Sequence, residues 1–378
     1  TPVSTLFPYT TLFRSLAGLT CGIRLQKNGV KCAIVSTGQS ALHFSSGSFD
    51  LLNELADGTK VDNPVAAADK ISANHPYAKL GDNFAYYVRE AKQQFLDCGI
   101  EVNGDAEHNH LRITPMGTLK PTWLTFSDFT PLSSANDIAG KKILVVNMAG
   151  FLDFNTKFVA DSFEKYGAEC RISSINLPEL ERLRISPTEM RSTNIARVLE
   201  NEKTLEALIL ELTGKISGFD IVALPAVFGL SSAASVKKLK ESLDIPVWLI
   251  PTMPPSVPGI RAQQQLRRSF EELGGVYMLG DTVVKADFSG NKVQAVYSVN
   301  HGDISFVAEN FILASGSYFS NGLVAQPDSV IEPVFGSDVD FTPGRDSWYD
   351  KAFFNKQNYM TFGVATDDKL RKIGRAHV

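Results

Sequence analysis

Leu16-Ala17-Gly18-Leu19, an amphipathic run to Asn28-Gly29, and then Lys31-Cys32-Ala33-Ile34-Val35 form the stretch that decides the fold. Leu16, Leu19, Ile23 and Leu25 fall on one helical stripe, which Asn28-Gly29 ends. The apolar run after it reads as a strand. Together they are the second half of a dinucleotide-binding βαβ unit, with Gly18 where the third glycine of G-x-G-x-x-G stands. Such a unit needs a hydrophobic strand and two more glycines directly before Leu16. Thr5-Leu6-Phe7-Pro8-Tyr9-Thr10-Thr11-Leu12-Phe13-Arg14-Ser15 stands there instead. That segment reads as the translation of a sequencing adapter, and Ile373-Gly374-Arg375-Ala376-His377-Val378 as the adapter read from the other direction. Residues 1–15 and 372–378 are therefore expected to be artefact, and residues 16–371 native. Taken alone, Gly18 also fits simple helix packing.

Composition narrows the class. A hydrophobic fraction of 44% and a charged fraction of 21% are those of a soluble globular protein, long enough for two domains. A net charge of −4 with pI near 5.9 argues against a nucleic-acid or polybasic membrane surface. No apolar run is long enough to span a bilayer. Cys21, Cys32, Cys98 and Cys170 have no Cys-x-x-Cys spacing, which excludes an iron–sulfur cluster and reads as reduced thiols. His75, His108 and His110 lack ligand partners at metal spacing.

The middle of the chain alternates strand and helix. Strands are expected at 142–147, 169–175, 219–224 and 246–250, with helices at 84–95, 156–166 and 234–243. Asp82 is the expected N-cap of the 84–95 helix. Ser186-Pro187-Thr188-Glu189 reads as a capping box starting another helix, and the charged run at 179–184 as a solvated face. Such alternation implies βαβ packing around a mainly parallel sheet. After a helix at 260–273, strands crowd together at 276–279, 283–288, 293–299, 304–307 and 311–314, with turns at Ser289-Gly290-Asn291 and His301-Gly302-Asp303.

Several residues are candidates for a cofactor site. Leu16, Ala17 and Gly18 open the helix whose N-terminus would meet a phosphate. Ser36 stands where Asp or Glu usually holds the adenosine ribose. Ser36-Thr37-Gly38 offers hydroxyls and a turn, with no arginine nearby for a 2′-phosphate. Two readings stay open: a flavin without adenosine, namely FMN, or a loop with an unusual residue. His43-Phe44-Ser45-Ser46-Gly47-Ser48-Phe49-Asp50 is a small, hydroxyl-rich loop; in isolation it is a surface loop, and after a βαβ strand it suggests a cofactor contact. His43 reads as an acid or base, or as structural. Ala314-Ser315-Gly316-Ser317 ends a strand in a small-residue turn. Pro254-Pro255-Ser256-Val257-Pro258-Gly259-Ile260-Arg261 is a rigid loop feeding a helix; Arg261 reads as an anion clamp or a solvated side chain. Gly18, Ser36, residues 45–48 and residues 314–317 are expected to border one cleft at strand C-terminal ends.

Gln39-Ser40-Ala41-Leu42-His43-Phe44-Ser45-Ser46-Gly47-Ser48, Asn194-Ile195-Ala196-Arg197, the 254–261 loop and Leu313-Ala314-Ser315-Gly316-Ser317, in that order, resemble the B-subunit family of anaerobic glycerol-3-phosphate dehydrogenases. The resemblance covers essentially all of residues 16–371. It implies a glutathione-reductase-like, two-domain flavoprotein: a discontinuous Rossmann-like flavin domain at 16–60 and 256–371, with an inserted α/β cap at 61–255. It further implies FMN, with FAD as the alternative, and oxidation of sn-glycerol 3-phosphate to dihydroxyacetone phosphate with electrons passed to quinone. The implied partners are the A subunit of the same enzyme and its membrane-bound iron–sulfur C subunit, which hold the protein at the inner face of the cytoplasmic membrane. The family's three-glycine start and glycine-rich C-terminal flavin segment are missing, so the chain as written is expected to be inactive. Two other readings are a stand-alone fumarate-reductase-like flavoprotein and a non-catalytic electron-transfer or assembly subunit. The sequence identifies no proton acceptor.

Overall fold

The computed structural model describes Thr5–Leu6, Tyr9–Phe13 and residues 16–371 apart from Pro187 and Phe354. Most of the adapter reading, and the proline of the expected capping box, therefore lie outside the described residues. The chain divides into two compact units, one of residues 1–41 and 266–378 and the other of residues 42–265.

In the first unit, helix α1 spans Leu16–Lys27 and buries Gly18, Leu19, Gly22 and Ile23. Arg24 and Lys27 occupy its last turn, where positive charge suits the helix dipole. Gly29, at φ 76°, then turns the chain into the fully buried Cys32–Ser36 strand. A strand buried along its whole length belongs inside a parallel sheet. The order is Val276–Leu279, Cys32–Ser36, Tyr9–Phe13, Asn310–Ala314, and every pairing is parallel. Tyr9–Phe13 thus occupies the interior position that the βαβ motif reserves for its first strand. A second sheet is built on the antiparallel pair Val283–Ser289 and Lys292–Ser298, turned at Gly290 as its sequence suggests. From Ser315 to Arg371 the described residues are mostly irregular, packed around Leu323, Val330, Trp348 and Phe362.

The second unit holds helix α2 (Asn83–Asp97), α3 (Thr156–Lys165), α4 (Pro178–Arg184), α5 (Ser192–Leu199), α6 (Glu202–Thr213) and α7 (Ala234–Ser242). Its main sheet is parallel throughout, ordered Glu169–Ile175, Lys142–Met148, Ile221–Pro225, Val247–Ile250. The chain winds outward through α3, then crosses back through α4, α5 and α6, so the strand order reverses beside Lys142–Met148. The fold class is as the sequence indicates: α/β, with a Rossmann-like parallel sheet.

Several local expectations differ. Asp82 is the N-cap residue of α2 but makes no capping hydrogen bond; its φ of −58° and ψ of −20° are already helical. No helix begins at Ser186. The Ser186 hydroxyl meets that of Thr188, the chain turns, and α5 starts at Ser192. The charged run before it is itself a helix, α4, with Pro178 in its first turn and Leu180 and Leu183 buried. Residues 42–60 and 256–265, assigned from sequence to the flavin domain, fall in the second unit. Ser48–Phe49 pairs with Leu124–Phe126, and Asn53 donates to the Pro121 carbonyl. Helix α8 (Val257–Glu272) contains the other boundary. In its first turn, a Cβ on Gly259 would lie 1.9 Å from the Leu42 carbonyl oxygen, so only glycine permits that approach. No helix among the described residues is long and apolar enough to cross a membrane.

Candidate functional site

In the first unit, two parallel strands end beside one groove of about 370 Å3. Val35 and Thr37 border it from one strand end and Ser315 from another, with Thr282, Val283 and Pro333 also lining it. Ser36 is buried, and its hydroxyl donates to the Gly38 carbonyl at 3.0 Å. Its own carbonyl accepts the amides of Gly280 and Asp281 at 2.7 and 3.2 Å. Thr282 Oγ1 donates to Thr37 Oγ1 at 3.0 Å. Ser36 and Thr37 are thereby tied to the 280–282 turn, which sequence reasoning did not single out. The available signal was Gly280-Asp281-Thr282 between two apolar runs.

The 314–317 turn is equally defined. Gly316 has φ 81°, and the Ser320 hydroxyl donates to the Ser315 carbonyl at 2.5 Å. A Cβ on Gly322 would lie 2.2 Å from the Gly316 carbonyl oxygen. Glycine at both positions keeps this backbone thin next to the groove. Leu16, Ala17 and Gly18 form the first turn of α1, which carries no acidic side chain. A helix start free of acidic side chains, after a parallel strand, suits a phosphate. A groove between parallel strand ends, a glycine turn and a non-acidic helix start fit a flavin phosphate compound.

Gly22 was missed. A Cβ there would lie 2.8 Å from Phe270 Cε2 and 2.9 Å from Ile34 Cδ1. Gly22 therefore makes a close helix–strand contact on the helix that also carries Gly18. Glu332 was also missed: it is 1% exposed and accepts the amides of Val334, Phe335 and Ser337.

The remaining candidates belong to the second unit. Gly47 N donates to Ser45 Oγ at 3.0 Å, Ser46 and Ser48 hydroxyls stand 3.4 Å apart, and the Gly47 carbonyl accepts Phe126 N. Gly47 has φ 81°, and its Cβ position lies 2.0 Å from the Phe129 ring. Burial pushes the His43 imidazole below its ordinary pKa, favouring the neutral ring, and the His43 carbonyl accepts Ser256 N. Arg261 corrects the clamp reading. It is 5% exposed, and its guanidinium is committed to the Asp128 carboxylate and the Gly229 carbonyl. A buried, paired arginine has no free fork for a phosphate.

All four cysteines are free thiols; burial pushes Cys32 to about 11 and Cys170 to about 12, with Cys21 and Glu164 respectively adding to the effect. Among the described residues no group of three His, Cys, Asp or Glu could hold a metal ion.

The family model described as an FAD binding domain matches residues 16–377. The B subunit of anaerobic glycerol-3-phosphate dehydrogenase from Yersinia enterocolitica is 42% identical over 363 residues, 95% of this chain and 86% of that protein. The corresponding B subunit from Pectobacterium atrosepticum is 43% identical over 359 residues, 94% of this chain and 85% of that protein. The chain belongs to this family of flavin-binding oxidoreductase subunits. Among solved structures, the 3-ketosteroid Δ1-dehydrogenase of Sterolibacterium denitrificans matches 83% of this chain and 48% of its own at 11% identity, with a TM-score of 0.35. That likeness is too slight to bear on the reading.

Proposed function

We propose that the protein is the flavin-carrying B subunit of an anaerobic glycerol-3-phosphate dehydrogenase, which oxidises sn-glycerol 3-phosphate to dihydroxyacetone phosphate and passes the electrons to quinone. The observation that carries this reading is identity of 42% over 95% of the chain to a protein of that name. A bound flavin supplies the two-electron acceptor. Leu16, Ala17 and Gly18 present backbone amides to its phosphate. Ser36, Thr37 and Gly38, with Ala314, Ser315, Gly316 and Ser317, border the ring system or its ribityl chain. Ser45, Ser46, Gly47 and Ser48 belong to the 42–265 unit and are not part of this contact set. An A subunit of the same enzyme, with its membrane-bound iron–sulfur C subunit, makes up the rest of the complex and holds it at the inner face of the cytoplasmic membrane.

The flavin is proposed as FMN, because Ser36, with its hydroxyl engaged by Gly38, stands where a ribose-binding carboxylate is needed. FAD is a second reading, favoured by the description of the matching family. Co-expression with the A and C subunits, followed by acid extraction and chromatography of the released cofactor, separates the two. Anaerobic addition of sn-glycerol 3-phosphate should bleach the visible flavin band of the A–B dimer. A colourless B subunit that carries the family's three-glycine start and C-terminal flavin segment sinks the proposal. Bleaching confined to flavin on the A protein leaves this chain with an electron-transfer or assembly role.

A further inference from the structure

The antiparallel hairpin of His110–Ile113 and Leu119–Thr122 lies wholly within the 42–265 unit. Its register sets Arg112 directly opposite Lys120 and His110 opposite Thr122, so the four side chains share one face. Directly opposed side chains stand about 5 Å apart at Cβ, and like charges so placed repel. Arg112 and Lys120 are such a pair. Asp50 meets Lys120 Nζ at 3.4 Å. Arg112 has no equivalent partner: among the described residues its guanidinium makes no hydrogen bond and no ion pair. Its Nε is enclosed, whereas Nη1 and Nη2 stay open to solvent at the end of a half-buried side chain. Burial pushes this guanidinium below the ordinary arginine value, with Asp50 opposing.

Hydroxyl groups adjoin the pair through His110. Its Nε2 stands 3.2 Å from Thr125 Oγ1, and Thr125 is the cross-strand partner of Ser48. The Ser46 and Ser48 hydroxyls are 3.4 Å apart. Burial pushes the His110 imidazole below its ordinary value, favouring the neutral ring, with Asp105 opposing. Asp105 is occupied elsewhere: it accepts the amides of Glu107 and His108 at 2.8 and 2.7 Å and lies 3.4 Å from the His108 ring. The two opposed cations thus have one carboxylate between them, that of Asp50, and it is engaged by Lys120. An oxyanion between Arg112 and Lys120 would relieve their repulsion and give Arg112 the partner it lacks. A guanidinium fork matches two phosphate oxygens, and an ammonium serves another as a point charge. Donors from three segments, the 46–48 loop and both hairpin strands, suit a tetrahedral group better than a planar carboxylate.

We propose that this face of the hairpin binds the phosphate group of a small phosphomonoester. Arg112 Nη1 and Nη2 donate to two phosphate oxygens and Lys120 Nζ to a third, while the Ser46 and Ser48 hydroxyls meet the rest of the ester. This does not rest on the flavin assignment, because every residue named lies within 42–265.

Calorimetric titration of the whole chain with sn-glycerol 3-phosphate tests it. Inorganic phosphate should compete for the site and glycerol should not. Arg112→Met should weaken binding by about tenfold and Lys120→Met, at an exposed position, by about threefold. Lys157→Met should leave it unchanged, because Lys157 pairs with Asp161 on α3. A thermal melt gives a second readout. Without phosphate, Arg112→Met should unfold no earlier than the parent chain, since it removes one side of a like-charge pair. Added phosphate should raise the midpoint of the parent chain and leave that of Arg112→Met unchanged. The proposal is overturned if neither phosphate compound binds, if glycerol competes as well as phosphate, or if both Arg112→Met and Lys120→Met bind with full affinity. If Arg112→Met does not fold, Lys120→Met decides.

Discussion

Gly22 shows what one missing Cβ does. It lies on the buried face of α1, where Phe270 and Ile34 already occupy the space a methyl group would need. Both neighbours are within 3.0 Å of that methyl position, so a substitution must displace a phenyl ring or a strand side chain. Gly22→Ala should therefore destabilise the protein by about 1–3 kcal/mol, the usual cost of overpacking a filled core. Urea unfolding read by circular dichroism measures this, and an unchanged midpoint would show that Phe270 yields freely. The sequence marked the helix but not Gly22. The tight contact at Gly22 depends on the position of Phe270, far along the chain, which no local pattern reveals.

At the scale of elements, the 280–282 turn links the groove to the second sheet. Asp281 is buried and accepts the amides of Thr282 and Asn300 and Nδ1 of His301 at 2.9, 3.0 and 2.8 Å. Burial alone raises its pKa, but hydrogen bonds from Ser298, Asn300, His301 and Thr282 outweigh that and hold the carboxyl below its ordinary value. A depressed folded-state value means that the stabilisation is fully present above the unfolded carboxylate pKa of about 4 and is lost as pH falls through the folded value. Asp281→Asn should cost about 2 kcal/mol at neutral pH, typical of a buried hydrogen bond to a charged group. The gap between the two proteins should close as the medium is acidified below about pH 4. Denaturant melts over a pH series check this, and a pH-independent gap would refute the role of the charge. The short charged segments show why local reading fails at this scale. Ser186-Pro187-Thr188-Glu189 carries a sound capping signal, yet the neighbouring Pro178–Arg184 forms the helix because Leu180 and Leu183 are buried. A cap can end or begin a helix only where an apolar face has something to cover it.

At the scale of the whole molecule, the 42–265 unit has its own parallel sheet, with Ile143, Val145, Val146 and Val222 fully buried. Its first and last segments meet, because the Leu42 carbonyl lies against Gly259 in α8. A unit with a complete core and adjoining ends is able to fold alone. The excised 42–265 fragment should therefore unfold cooperatively on heating, with a sigmoidal circular dichroism transition; a featureless slope would show that it depends on the rest of the chain. The first unit has no such autonomy in sequence. Its sheet joins Cys32–Ser36 to Val276–Leu279, and Tyr9–Phe13 to Asn310–Ala314, across the whole second unit.

Local order and periodicity in the sequence determined that helix α1 and the Cys32–Ser36 strand form a βαβ half-unit. They also determined that the middle of the chain alternates into a parallel sheet and that Gly290 turns a hairpin. These follow from patterns of a few residues, which act through side-chain period and turn geometry and need no distant partner. Tertiary structure alone decided that residues 42–60 join the second unit, that Arg261 is buried against Asp128, and that Thr37 and Ser315 share a groove. Each depends on segments separated by many residues, whose meeting is fixed by burial and packing and leaves no periodic trace in the chain.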